Sequence, residues 1–446
     1  MKDKRLAGGY RLDLNGWTFL HVEGGPEEIG FQHGYLLAEK IKDGIERVRF
    51  WANGALKRDW AFFRETAENL YLSKIPEEQK SEIDAIVEGL QARGLSFDSL
   101  DIVALNGWLD TLTMHYWLKS KSGKVSPKPI PQPGGCSAFM ATGTSTSNRE
   151  IVVAHNSWWV YLIGSTWNTM IHMSPERGNQ LLMQIMPGLL TSATDWYISS
   201  SGLVVTETTI TGATTFNPDG TPYFTRARKA IQYSTDMDQW ISTMIDRNNG
   251  GYANDWMIGD IKTGEIALLE LGTFNHMVEK KRDGYFVGCN LAIDPKVRQE
   301  TAFNYEDQST SPTARRNRWI QLMEEHNGRI DVPKARELLA DHFDTSLNRA
   351  LPSRCTICGH VEEDVRGFPE ADWGPNYPAG VFDGKVTCSS LAARGATWAL
   401  WGKPCGKDFH AKEFLRLNAA YSWQEELLTD MRAYPWTLFD PGFKPS

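Results

Sequence analysis

The chain has 446 residues, 41% hydrophobic and 23% charged; this ordinary globular usage excludes a mainly disordered or fibrous protein and allows a large core, by length roughly three average domains. Forty-seven basic against 55 acidic residues give a net charge of −8 with no Lys/Arg block, so nucleic acid is not an expected partner. No run of eighteen apolar residues occurs, and Met1 to Tyr10 is basic without the apolar stretch of a signal peptide; the expectation is a chain without a membrane span, cytoplasmic by default, with a secreted mature form left open.

Pro26, Glu27 and Glu28 open the first helix, with proline in the first turn and acids at the positive end of the helix dipole. Ile29, His33, Leu37, Ile41, Ile45 and Val48 follow at intervals of three or four residues, which makes the helix amphipathic and puts His33 on its buried face. Two further helices are expected over 59–72 and 78–93, and a Lys/Pro/Ser-rich loop over 120–133 forms the natural boundary. Beyond it the pattern turns to strands at 137–141, 151–155, 181–185, 202–209, 255–259, 265–271 and 285–290, separated by turns such as Lys262-Thr263-Gly264. Helices return at 236–246, 315–326 and 333–343, so the expected class is a layered α+β fold without an internal repeat.

The linker ends Pro131-Gln132-Pro133-Gly134-Gly135, and Cys136 then opens an apolar strand. A cut between Gly135 and Cys136 would give Cys136 both a thiol and an α-amine of pKa about 7.7–8.0, nucleophile and base on one residue. Gly135 suits such a cut because it lacks a Cβ and tolerates strained backbone. A buried structural cysteine is the plain alternative, and these residues leave both open. Motifs for serine hydrolases, zinc metalloproteases, P-loops and dinucleotide binding are absent from the sequence.

Six cysteines in so long a chain do not make a disulfide framework. Cys355-Thr356-Ile357-Cys358 with His360 invites a zinc or redox reading, but zinc requires four ligands, and Cys388 and Cys405 are too scattered in sequence to complete a recognisable finger. The expectation is a structural disulfide or plain buried thiols, with neither metal nor cofactor.

Gly135-Cys136-Ser137-Ala138-Phe139, Val153-Ala154-His155-Asn156-Ser157-Trp158 and the block from Ser200 to Thr209 resemble, in order and spacing, successive blocks of the phospholipase B-like proteins. Gly284 to Asn290, Ala340-Asp341-His342, Ile357-Cys358-Gly359-His360, Trp401 to Cys405 and the early Gly24 to Gly34 extend the resemblance and are also similar to the isopenicillin N acyltransferase family. Both groups are N-terminal nucleophile (Ntn) hydrolases. The resemblance implies a four-layered αββα sandwich with additional N- and C-terminal helices. It implies a mostly helical segment 1–135 ending in a processing linker, and a segment 136–446 carrying the catalytic core, together one folded unit. The implied activity is a self-processing cysteine hydrolase acting on a non-peptide amide or an ester of an apolar acyl group. Acyl transfer to an amine is the mechanistic neighbour, and a non-catalytic binding protein of the same fold is the alternative outside enzymes. The implied partners are a small acyl amide or a lipid, with the two fragments staying associated and a homo-oligomer left open.

The resemblance also distributes roles. Gly135 and Cys136 form the processing site, and Asn290 matches an oxyanion donor, against the alternative of a strand-end asparagine bonding its own loop. Strand alternation sends His155 and Asn156 to opposite faces, so one of them meets Cys136. Trp158 stands where the acyltransferases carry an aspartate, so Asp195 and Glu207 are the candidate acids to orient or charge-stabilise the site, against the alternative that each is a solvated or N-capping acid. Thr208 and Thr209 end a strand corresponding to one that supplies a polar donor in bile-salt hydrolase relatives; a cross-strand threonine pair is the structural alternative. Arg315, Arg316 and Arg318 include a candidate for an arginine that assists autoproteolysis, against a solvated helix face. Trp158 and Trp196 are the expected aromatic lining of an acyl pocket or, equally, core.

Overall fold

The computed structural model describes residues 3–121, 136–192 and 194–442; the expected linker end and Gly135 lie outside the described residues. Two sheets organise the molecule. The larger runs, in spatial order, Tyr10–Leu14, Trp17–Gly24, Thr169–Pro175, Leu181–Ile185, Tyr197–Ser199, Leu203–Thr209, Asn254–Asp260, Glu265–Leu271 and His276–Lys281. The smaller runs Gly284–Gly288, Ser137–Thr142, Val152–Asn156, Asp383–Cys388, Thr397–Trp401 and Thr437–Phe439. The sheets face each other: Ser137–Thr142 contacts Leu203–Thr209, Asn254–Asp260 and Glu265–Leu271. Helices Pro26–Leu36, Tyr223–Tyr233 and Met237–Ile245 pack on the larger sheet, while Ser311–Glu325 and Val332–Leu338 pack on the smaller. The fold is therefore α+β, in four layers ordered αββα. Strands buried on both faces explain the nearly continuous apolar runs in Leu181–Ile185 and Ser137–Thr142.

Chain order and layer order differ at the N-terminus. The first 24 residues supply an antiparallel pair, Tyr10–Leu14 with Trp17–Gly24, whose second strand pairs in parallel with Thr169–Pro175. The segment before the linker thus builds sheet as well as helices. The helix expected from Pro26 to Val48 is two helices, Pro26–Leu36 and Ala38–Trp51, and His33 accepts a hydrogen bond from the Gly188 N–H at 2.9 Å. Gly30 and Gly34, one turn apart, bring the first helix into backbone contact with Glu77–Ala92, where a Cβ on either would overlap the Glu82 or Ile86 carbonyl. Helices Ser99–Asn106 and Trp108–Lys121 escape a periodicity reading because both are buried on most sides and lack a polar stripe.

Candidate active site

Cys136 lies at the mouth of Ser137–Thr142, in the space between the two sheets, and is 5% exposed. In the register of the smaller sheet Ala138 pairs with His155 on one side and Gly288 on the other, so Val152–Asn156 and Gly284–Gly288 flank the start of this strand. The Cys136 Sγ, a His155 ring nitrogen and a Glu207 carboxylate oxygen all lie within 4.8 Å of one another. Glu207 comes from the facing sheet; the site exists only because the sheets pack.

Burial, followed by the Glu207 charge, pushes the Cys136 thiol well above its ordinary value, while the Trp158 N–H and Lys385 pull the other way. Burial and the Lys385 charge hold His155 neutral, well below the usual histidine range. Neither His155 ring nitrogen has a hydrogen-bond partner among the described residues. The open ring nitrogens give the imidazole room to accept a proton, while both shifts set transfer from the thiol to the imidazole uphill.

Glu207 heads a buried acid network. Tyr252 donates to its Oε1 at 3.2 Å and Thr209 to its Oε2 at 3.4 Å, and the Asn254 amide, with its nitrogen turned toward Glu207, reaches Oε2 at 2.7 Å. Asp195 accepts from Tyr197 at 3.2 Å and from Tyr223. Burial raises both carboxyls, and the neighbouring Asp195 charge raises Glu207 further. Asp195 has φ 48° and Asn290 φ 68°, left-handed backbone that Asn and Asp tolerate better than other side chains.

On the other side of Cys136, Arg315 is fully buried. Its Nη1 donates to the Cys136 carbonyl at 2.6 Å and to Ser137 Oγ at 3.0 Å, its Nη2 to Asn290 Oδ1 at 2.8 Å, and its Nε to Ser311 Oγ at 3.0 Å. Its guanidinium lies 4.5 Å from the Trp158 ring centroid. Of the three candidate arginines only this one reaches the site, and it does so from the buried face of its helix, which corrects the solvated-face alternative for this position; Arg318 pairs instead with Asp341 at 2.6 Å. Asn290 uses one amide hydrogen on the Thr209 carbonyl at 2.7 Å, and its backbone N–H donates to Thr208 Oγ1 at 3.3 Å. Thr208 therefore enters the site through Asn290, and Thr209 through both Asn290 and Glu207. Their cross-strand partners are Asp255 and Asn254, not threonines.

Asn156 goes the other way. Its Nδ2 donates to the Leu339 carbonyl at 2.8 Å and the Ile357 carbonyl at 3.2 Å, toward the outer helices, so of the alternating pair only His155 meets Cys136. Trp196 packs on His155 with ring centroids 6.4 Å apart. Gly359 lies against the Trp158 indole so closely that a Cβ would overlap the ring.

Lys385, Asp383, Tyr223 and Tyr252 are site residues that sequence reasoning missed. Lys385 pairs with His155 across the strands and donates to Ser157 Oγ and Gln184 Oε1, each at 2.6 Å, and to Asp383 Oδ1 at 3.0 Å. The one available signal was a lysine inside an otherwise strand-like Gly384-Lys385-Val386-Thr387, because a charged side chain in a central strand needs a partner.

The cysteine expectations change. All six cysteines are free thiols, so no structural disulfide is present among the described residues. Cys355, Cys358 and Cys388 do not act together: the Cys355 thiol faces the Ser309 carbonyl at 3.8 Å and Cys388 pairs with Ser390 at 3.2 Å. Cys358 and His360 meet His342 and Cys405 instead, so four ligand-type side chains do converge where none were expected to, because the loops after Leu338 and after Trp401 fold onto one another.

No helix among the described residues is long and apolar enough to cross a membrane. A family model described as Phospholipase B matches residues 71–279, just under half the chain. Phospholipase B of Crotalus adamanteus is 23% identical over 92% of this chain and 85% of its own length. Phospholipase B-like 1 of Homo sapiens is 24% identical over 64% of this chain and 61% of its own. Among solved structures, a mutant of conjugated bile acid hydrolase from Clostridium perfringens gives a TM-score of 0.34 at 10% identity, covering 59% of this chain and 88% of that one.

Proposed function

We propose, for a chain that is phospholipase B-like in sequence, a hydrolase of carboxylic esters or non-peptide amides of apolar acyl groups, acting through a Cys136 acyl-enzyme after it has cut itself at Gly135–Cys136. The observation that carries this reading is the Cys136 thiol meeting His155 and Glu207 within 4.8 Å while Arg315 grips the carbonyl of Cys136 itself. Similarity to proteins named phospholipase B supports an acyl ester or amide as the bond attacked. A sulfur nucleophile serves either.

Before the cut Cys136 has no free amine, so its own base does not yet exist and His155 is the neutral acceptor at hand. His155 takes the thiol proton, and sulfur attacks the Gly135 carbonyl carbon. The Gly135–Cys136 C–N bond then breaks, with the Cys136 nitrogen taking a proton, to give a thioester. Water hydrolyses the thioester, leaving a Gly135 carboxylate and a free Cys136 with thiol and α-amine. Residues 1–135 and 136–446 become two associated fragments. In the mature enzyme the α-amine takes the thiol proton and the sulfur attacks the substrate carbonyl. The second amide hydrogen of Asn290 is the donor available to the developing oxyanion, and a small acyl amide or a lipid is the proposed partner; Trp158 and Trp196 are buried and would have to give way for an acyl chain to reach them.

Intact mass under denaturing conditions tests it. Wild type should separate into two fragments, the larger beginning at Cys136, while Cys136→Ala stays whole. If wild type also stays whole, and Cys136 resists alkylation after a protease nick within 122–135, the reading fails.

A further inference from the structure

Away from the proposed nucleophile, His342, Cys358, His360 and Cys405 place their ligand atoms within 4.8 Å of one another. The spacings are specific. His342 Nε2 and His360 Nε2 are 3.1 Å apart, Cys358 Sγ is 3.7 Å from His360 Nε2, and Cys405 Sγ is 3.6 Å from the same nitrogen. Zinc bonds of about 2.0–2.1 Å to nitrogen and about 2.3 Å to sulfur, set at tetrahedral angles, put nitrogen atoms about 3.3 Å apart and nitrogen and sulfur about 3.6 Å apart. Two imidazoles and two thiols that point their donor atoms at one another satisfy each other poorly. They match the shell around an ion.

The second layer fits as well. His360 directs its other ring nitrogen, Nδ1, to Glu362 Oε1 at 3.1 Å and Glu363 Oε1 at 3.2 Å, the carboxylate support that fixes the tautomer and leaves Nε2 free to ligate. Cys358 and His360 are buried, whereas His342 and Cys405 are partly accessible, so an ion has a way in.

We propose that His342, Cys358, His360 and Cys405 form a binding site for a zinc-type divalent cation, with all four positions filled by the protein. A closed Cys₂His₂ shell is a structural site rather than a catalytic one. It would tie three separate stretches of chain together: the turn after Val332–Leu338, the loop at 358–360 and the turn after Thr397–Trp401. Gly359, held between two ligands, backs the Trp158 indole, and the neighbouring Ile357 carbonyl takes the Asn156 amide. The ion would thereby set the backbone behind the Cys136 region without touching the chemistry, and the inference stands independently of the proposed hydrolase.

Metal analysis of the full chain, expressed with zinc and purified without chelator, tests this. About one zinc per chain is expected, falling below about a tenth in Cys358→Ser and in His342→Ala but unchanged in Cys355→Ser, with roughly tenfold weaker retention in Glu363→Gln. Because the ligand variants could misfold, wild type is also exchanged with Co²⁺, which should give the visible absorption of a tetrahedral centre and a thiolate charge-transfer band. Wild type that takes up neither metal, zinc that persists in folded Cys358→Ser, or a Cys358–Cys405 disulfide in the peptide map would each overturn the proposal.

Discussion

Two buried clusters in this molecule use the same kinds of side chain, cysteine, histidine and glutamate, and hold them in opposite states. Around Cys136 burial wins despite Lys385: the thiol and the Asp195 and Glu207 carboxyls are pushed up, and His155 is pushed down. Around His360, in the metal-free protein, burial also works against charge, but Lys403 and His360 hold the Glu362 carboxyl down to about 2, and Glu362 in turn helps raise His360 to about 10. The Cys405 thiol, hydrogen-bonded first by Cys358 and then by His342 and His360, falls well below its usual value. The difference lies in what stands behind the histidine. His155 has open nitrogens and a lysine on the neighbouring strand; His360 has two carboxylates on Nδ1. The first arrangement leaves the ring nitrogens open in a setting that resists charge, and the second fixes its ring in place.

Substitution should separate the two clusters. The largest effect is expected from Cys136→Ala, which should abolish self-cleavage and turnover of any ester or amide substrate, read by intact mass and an activity assay. Next, Glu362→Gln strands the buried Lys403, an uncompensated charge that should cost about 3–5 kcal/mol of stability in denaturant unfolding. Arg315→Ala removes the donor from the Cys136 carbonyl and from Asn290, and should slow self-cleavage about 10²-fold, followed as a time course of the two fragments.

The smallest effect sharpens the contrast most. Glu207→Gln replaces an acid that is already protonated in the fold, so it should leave stability near pH 5 within about 1 kcal/mol of wild type. Because the Asp195 and Glu207 values are raised by folding, the stability they contribute is complete below about pH 4 and is lost as pH rises through their folded values, which for Asp195 is about 7. Wild type should therefore weaken between pH 5 and pH 8, and Glu207→Gln should flatten that slope. A wild-type stability that rises over this range would show the pair to be ionised and would erase the distinction between the clusters.

Local pattern carried much of the architecture. The mostly apolar runs at 181–185, 265–271 and 137–141 are strands in the structure because burial on both faces favours apolar residues at nearly every position. The short strands Thr437–Phe439 and Tyr10–Leu14 went unread, since their pairing partners, not their own residues, make them strands. Of the residues that the sequence singles out as candidates, Cys136, His155, Asp195, Glu207, Thr209 and Asn290 come together in space, whereas Asn156 is turned away.

What the amino-acid sequence by itself determined was therefore local: a cysteine at the start of a buried strand, a histidine and an asparagine on opposite faces of the next strand, and glycines at 30 and 34 that admit a second helix. Tertiary structure decided which face meets which. A strand's period of two places His155 and Asn156 apart but does not say which side the second sheet will cover. Residues 315, 316 and 318 all sit within one turn of helix, and only the packing of Ser311–Glu325 onto the smaller sheet turns Arg315 inward. Cys405 stands far along the chain from His342 and Cys358. No spacing rule links such residues, because loop closure over long separations is set by the core that folds beneath the loops and not by the loops themselves.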